Sequence, residues 1–380
     1  MLQCNTRMSN PARPEWLPGP PVRFRRVRKV TARRRRENST CARVGPHLGH
    51  NVAGAVRHVL IPVGARSGLL PAARLERLAG TMTAPFSADA PLDPRLTPAR
   101  PDLADERLRG RVAADRYVAG TTHRIRVPVA PLRRAPDPAA ALDSEALLGE
   151  AATVYEVRDG FAFAQLSADG YVGYLPAEAL GPVDPAPTHR VSALRTFLYP
   201  AADLKRPVVG ALSLGARVAV AGREGAYARL ADGRFAWAGH LAALDAVEPD
   251  VAATALRFLG VPYLWGGRSS LGLDCSGLVQ TALAAAGIAA PRDSDQQEAA
   301  LGEAVPVTAD LAGLRRGDLV FWRGHVGMML DEARLIHANG HHMAVAIEPL
   351  AEAEGRIRAG RTGPGTGDGA IRAIRRTIAA

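Results

Sequence analysis

Cysteine is scarce in this chain. Its 380 residues hold three, Cys4, Cys41 and Cys275, and their irregular spacing excludes a disulfide framework or a zinc knuckle. No apolar run approaches the ~20 residues of a membrane span, so stable membrane insertion is not expected. A secretion signal is also missing: the N-terminus is polar, and the mildly apolar stretch at 52–65 is broken by Arg57 and His58. With a thiol that must stay reduced, this gives a cytoplasmic expectation. The formal net charge is +11, but residues 1–81 hold 16 Lys and Arg against 3 Asp and Glu, leaving 32 against 34 in the other 299 residues. The folded part is nearly neutral, which implies no nucleic-acid partner. Residues 1–81 read as a disordered basic segment or as an extension upstream of a start at Met82.

Order begins beyond that segment. Residues 82–120 are Pro- and Asp-rich, an N-terminal wrapping segment with one short helical patch, DLADERLRGRVAADRYV. An internal repeat follows. LLGEAATVYEVRDGFAFAQLSADGYVGYLPAEAL at 147–180 resembles LSLGARVAVAGREGAYARLADGRFAWAGHLAAL at 212–244, pairing Gly149 with Gly215, Tyr174 with Trp237 and Leu180 with Leu244. Short alternating runs broken by Asp-Gly and Glu-Gly turns are the pattern of β-hairpins. Two small all-β barrels are therefore expected, at 121–183 and 188–246, joined by a Pro-rich linker.

From 250 to 380 the pattern changes. Asp250 suits the N-cap of VAATALRFLG, and Ser294 with Gln297 has capping-box spacing ahead of a further helix. DLVFW, HVGMML, RLIHA, MAVAI and IRAIRRT then read as strands. Helices first and an antiparallel sheet afterwards make an α+β domain.

Cys275 lies between a glycine-rich approach and SGLVQTALAAAGI, a helical run closed by Gly287. A thiol at a helix start meets unpaired N–H groups and the positive end of the helix dipole, which lowers its pKa and suits a nucleophile. The plain alternative is a small buried hydrophobe. A nucleophile needs a base, and the base an orienting group. If Asp331, Glu332 and Ala333 form a turn, residue 327 pairs with 337, which places His337 on one sheet face diagonally next to His325. A four-residue turn would send His337 to the other face. His341 and His342, just after Asn339-Gly340, are expected in solvent. A metal set of His337, His341 and His342 with Cys275 or Asp274 is the competing reading, and no second cysteine completes a common zinc site.

The motifs VPYLWGG, LDCSGLVQ, PRDS, RRGDLVFW, GHVGMML and LIHANG resemble those of the NlpC family of cysteine peptidases, papain-like enzymes that cut peptidoglycan stem peptides. The resemblance covers about 250–378, and to about 120 if the two SH3-like repeats are included. It implies Cys275 as nucleophile, His325 as base and His337 as the polar residue that holds the base. Tyr263, twelve residues before Cys275, would bind the oxyanion, and Asp274, Ser276 and Ser294 would contact substrate. Ser294 reads equally well as a helix cap alone, and Tyr263 as a core aromatic.

Members with two leading SH3-like domains resemble γ-D-glutamyl-diamino-acid peptidases that recycle cell-wall fragments with a free N-terminal L-Ala. An acidic residue of their first SH3-like domain holds that amine. Glu150 is the candidate, because Ala216 stands at its place in the second repeat, and Tyr171 would be the second wall of the pocket. Peptidoglycan-derived peptides are thus the expected partners, and no cofactor is called for. A non-catalytic wall-binding scaffold and an amidase or acyltransferase of the same fold are the alternatives. The sequence is silent on oligomeric state.

Overall fold

The segment after residue 82 wraps the following unit, but as strand rather than helix. The computed structural model describes residues 92–360 and 367–377, so the basic stretch 1–81 and the question of a start at Met82 lie outside the described residues. Where a helical patch was expected, the chain forms strands Leu103–Asp105 and Tyr117–Val118 around a single 3-10 turn, Glu106–Leu108. Burial overrides helix propensity here. Leu103 packs on Tyr155 and Phe163, and the Tyr155 hydroxyl donates to Asp105 at 2.8 Å.

The first β unit is a seven-stranded antiparallel sheet that includes Thr121–Ile125 and Leu142–Leu147. It encloses small and branched side chains such as Ala130, Leu132, Ala152, Val154 and Ala164. The second unit has sheets of three and five strands around Leu198, Leu212 and Leu230. In each unit a 3-10 turn, Ala177–Ala179 or Ala238–His240, feeds a short strand. That strand, Leu180–Gly181 or Leu241–Ala243, pairs with the unit's lead-in strand. This equivalence sets Leu180 against Leu241, not Leu244 as the sequence match had it. The units touch at a matched glycine: Arg217 N–H donates to the Leu148 carbonyl at 2.7 Å, and a Cβ on Gly149 would stand 2.2 Å from the Arg217 oxygen.

In the C-terminal unit, Asp250 caps helix α1 (Val251–Leu256) by accepting from Ala253 N–H at 2.9 Å. Helix α2 (Cys275–Ala285) starts at Cys275, as expected. Helix α3 (Ser294–Ala300) is capped one residue earlier than expected, by Asp293, whose N–H donates to the Gln296 side chain at 3.3 Å. Gln297 is buried instead, and donates to the carbonyls of Ser276 and Pro291. A six-stranded antiparallel sheet follows, in the order Glu303–Val305, Asp368–Arg376, Leu319–Arg323, His325–Met329, Arg334–Asn339, Ala344–Pro349. Alternation buries both faces. Leu319, Phe321, Val326, Met328 and Ile336 pack with α2, while Val320, Trp322, Met329 and Leu335 pack under helix α4 (Leu350–Arg358). Among the described residues, no helix is long and apolar enough to cross a membrane.

Glu150 has a different place from the one expected. It is 5 % exposed and fastens the first β unit to the loop before Cys275. Arg268 donates to both its oxygens, at 2.8 and 3.0 Å, and Leu147 N–H donates to it at 2.8 Å. Arg268 NH1 also reaches the Glu145 carbonyl at 2.9 Å. Deleting one member of a buried pair strands the other, at a cost of about 3–5 kcal/mol. Glu150→Ala should therefore lower the unfolding midpoint strongly while leaving the preference for substrate chain ends unchanged. Denaturant unfolding together with activity on free and N-acetylated peptides measures both, and a variant of unchanged stability with altered preference would refute this placement.

Candidate active site

A cleft of about 680 Å³ opens at the start of α2. Its walls come from three segments: Arg95 and Thr97 upstream, Asp143 and Tyr171 in the first β unit, and Tyr263, Trp265, Cys275, Asp293 and Ser294 in the C-terminal unit. Glu150 is not among the lining residues.

Asp274 and Ser276 line the cleft, but their polar atoms are already engaged within the protein. Asp274 is the N-cap of α2 and accepts from Gly277 N–H at 2.7 Å, Gly266 N–H at 2.9 Å, and Arg292 at 2.7 and 3.0 Å. Ser276 Oγ lies between Asp274 and Arg292, at 3.2 and 3.0 Å. The expected substrate contacts of both residues give way to a structural role. Ser294 remains in the cleft wall as the first residue of α3, and it is not the cap.

Cys275 is a free cysteine, 6 % exposed. Its sulfur accepts from the backbone N–H groups of Val326 and Ser276, yet burial, with the Asp274 charge second, pushes the thiol up to about 12. The helix start therefore does not ionise it as expected, because desolvation outweighs the N–H groups. The same force acts in the opposite sense on the imidazoles. Burial, then the neighbouring His337, holds His325 well below its ordinary value of 6.5, and burial also lowers His337. The resting groups are neutral.

The three-residue turn at 331–333 is present. Met328 pairs with Ile336 and Met329 with Leu335, the register that puts His337 beside His325. Their ring nitrogens, His325 Nε2 and His337 Nδ1, are 2.8 Å apart. His325 Nδ1 is buried with no partner among the described residues, and so is the Tyr263 hydroxyl. Burial, then the nearby Cys275 and Asp274, raises the pKa of Tyr263, which keeps its proton available for donation. His341 and His342 are exposed, as expected.

Sequence reading missed Glu348. Its Oε1 lies 2.6 Å from His337 Nε2, and Arg356 of α4 donates to both its oxygens, at 2.5 and 2.6 Å. The available signal was an acid in the neighbouring strand, two residues beyond Ala346, the cross-strand partner of His337. His337, His342 and Glu348 are the one group of potential metal ligands found among the described residues. It includes neither Cys275 nor Asp274, and its Glu348 is already hydrogen-bonded to His337 and Arg356.

Two acids mark the far end of the cleft. Asp143 is held by Arg134 at 2.7 Å, and Asp293 accepts from the Tyr171 hydroxyl at 3.1 Å and from Arg95 at 2.7 Å. Burial first, and the charges of Asp293 and Asp143 next, raise the pKa of Tyr171. Asp143 is the second residue that sequence reading missed, since its Arg134 partner makes it look like an ordinary surface ion pair.

Residues 260–355 match the model of the NlpC/P60 family, and residues 132–180 that of the bacterial dipeptidyl-peptidase SH3 domain. The chain carries an NlpC/P60 domain. A γ-D-glutamyl-L-lysine dipeptidyl-peptidase of Bacillus cereus is 31 % identical over 156 residues, 39 % of this chain and 45 % of its own length. The protein of the same name from Bacillus subtilis is 36 % identical over 111 residues, 27 % of this chain and 36 % of its own. The chain thus spans less than half the length of these curated relatives. An NlpC/P60 family protein of Bacillus cereus, known from a crystal structure, shares the fold with a TM-score of 0.54 at 22 % identity, over 68 % of this chain and all of its own.

With the NlpC/P60 thiol raised to about 12, alkylation of Cys275 by iodoacetamide should be slow at neutral pH and keep accelerating above pH 9, the usual thiol value. Mass spectrometry of the alkylated peptide across pH checks this. A rate that levels off below pH 9 would show the thiolate already formed.

Proposed function

We propose that this protein is a cysteine peptidase that hydrolyses the bond between γ-D-Glu and the diamino acid in peptidoglycan stem peptides with a free N-terminal L-Ala. The observation that carries the proposal is the cleft itself. Cys275 stands at a helix start between an unpartnered imidazole nitrogen and an unpartnered hydroxyl, and two carboxylates, Asp143 and Asp293, lie in the opposite wall. The names of the Bacillus relatives support the same substrate class. The second β unit, which repeats the turn-and-strand order of the first, is part of this reading as a second SH3-like domain. Cytoplasmic action on recycled fragments also belongs to it, and cell fractionation tests that location.

The chemistry follows from the neutral pair. As Cys275 Sγ attacks the scissile carbonyl, its proton passes to His325 Nδ1, and the growing negative charge on oxygen meets the Tyr263 hydroxyl. His325 then protonates the leaving amine, and water releases the acyl group with His325 again acting as base. His337 holds the ring of His325. At the far end, the substrate's ammonium lies between Asp143 and Asp293, with the Tyr171 hydroxyl beside them. A charge-assisted contact of this kind contributes roughly 1.5–3 kcal/mol, on the order of tenfold to a hundredfold in kcat/KM.

Cys275→Ala and His325→Ala should each abolish turnover of a free stem tripeptide, followed by mass spectrometry, with the fold retained. Wild type should prefer the free amine over its N-acetylated form, and Asp143→Asn should lose most of that preference. An Asp143→Asn variant with full discrimination removes this residue from amine recognition.

A further inference from the structure

We propose that Glu348 is a positioning residue that fixes which nitrogen carries the proton on both imidazoles, and so keeps the lone pair of His325 on Nδ1. The consequence for turnover rests on the peptidase reading above, whereas the proton pattern rests on geometry alone.

Glu348 is buried, 8 % exposed, and occupies the diagonal position next to His337 on the sheet face covered by α4. Arg356 donates to both carboxylate oxygens. Burial by itself would raise the Glu348 carboxyl, but the bonds from His337 and Arg356 outweigh it and hold the group well below the usual carboxylate range. An ionised carboxylate only accepts hydrogen bonds, and a neutral imidazole has one donor and one acceptor nitrogen.

The rest follows by elimination along the chain of contacts. His337 Nε2, 2.6 Å from Glu348 Oε1, must carry the proton, so His337 Nδ1 is an acceptor. His325 Nε2, 2.8 Å from that acceptor, must then be a donor. His325 Nδ1 is left with the lone pair, and it is the ring atom with no partner. Reversing the chain would put a proton on His325 Nδ1, and nothing would remain to take the proton of the thiol. A histidine by itself cannot choose between these states, because it donates or accepts at either nitrogen. The choice is made two hydrogen bonds away from the base, at a group that does not touch the substrate.

The test reads nitrogen-15 chemical shifts of the histidine rings in resting, uniformly labelled protein, beside turnover of the stem tripeptide. Wild type should show Nε2–H forms of both His325 and His337. Glu348→Gln offers both a donor and an acceptor, so its spectrum should show a mixture with Nδ1–H forms. Its kcat should fall about tenfold to a hundredfold at unchanged KM, less than the ~10⁴ seen when a wrong tautomer is imposed on a base directly. In a His337→Ala background the same substitution should change kcat by no more than about twofold, since the residue acts through His337. An Nδ1–H form of His325 in wild type overturns the proposal, whether or not the protein cleaves the tripeptide or Glu348→Gln folds. A full loss of kcat that persists in the His337→Ala background also overturns it.

Discussion

The buried pair of Asp274 and Arg292 is the constraint on which the site depends. Arg292 is 1 % exposed, and its guanidinium joins the cap of α2, Ser276 Oγ and, through Nε at 3.0 Å, Ser144 of the first β unit. A capping carboxylate by itself contributes ~1 kcal/mol. A cap that is also one half of a buried ion pair resists removal by several times that, because the stranded partner stays desolvated. The first turn of α2 is thereby fixed against the β unit that supplies the opposite wall of the cleft, and Cys275 is the first residue of that turn.

The electrostatics of this site are those of a dry place. Desolvation outweighs the two N–H groups at Cys275 and the carboxylate behind His337, so thiol and imidazole both rest uncharged. Charge appears only during reaction, next to donors already in position, and such preorganisation is the main source of electrostatic catalysis. Ions are tolerated where they are fully paired, as at Arg268 with Glu150 and at Arg356 with Glu348.

How far the sequence could be read depended on how local the determining contacts are. The register of His325 and His337 was readable because a three-residue turn fixes strand pairing, and Asp250 because a cap acts within three residues. Contacts between distant segments were not readable. Glu150 and Ala216 differ between the repeats as expected, but the reason is Arg268, a partner 118 residues away, and not a ligand. The helical pattern at 102–118 lost to burial against Tyr155 and Phe163. Glu348 escaped notice because its importance comes from a neighbouring strand and from α4, and the thiol's neutrality because burial leaves no mark in a motif.

The sheet that carries the two histidines is buried on both faces, and the reacting groups belong to different faces. Cys275 travels with the layer of α2, while His325 stacks near Trp322, with ring centres 5.7 Å apart, and is tied through His337 and Glu348 to α4. Nucleophile and base are thus mounted on opposite plates, with the sheet as spacer between them. The gap across which the proton moves is set by how tightly those plates are pressed together, and close-packed interiors transmit strain rather than absorb it. A side chain lost deep under α4, far from any substrate, would change that gap as surely as one lost in the cleft.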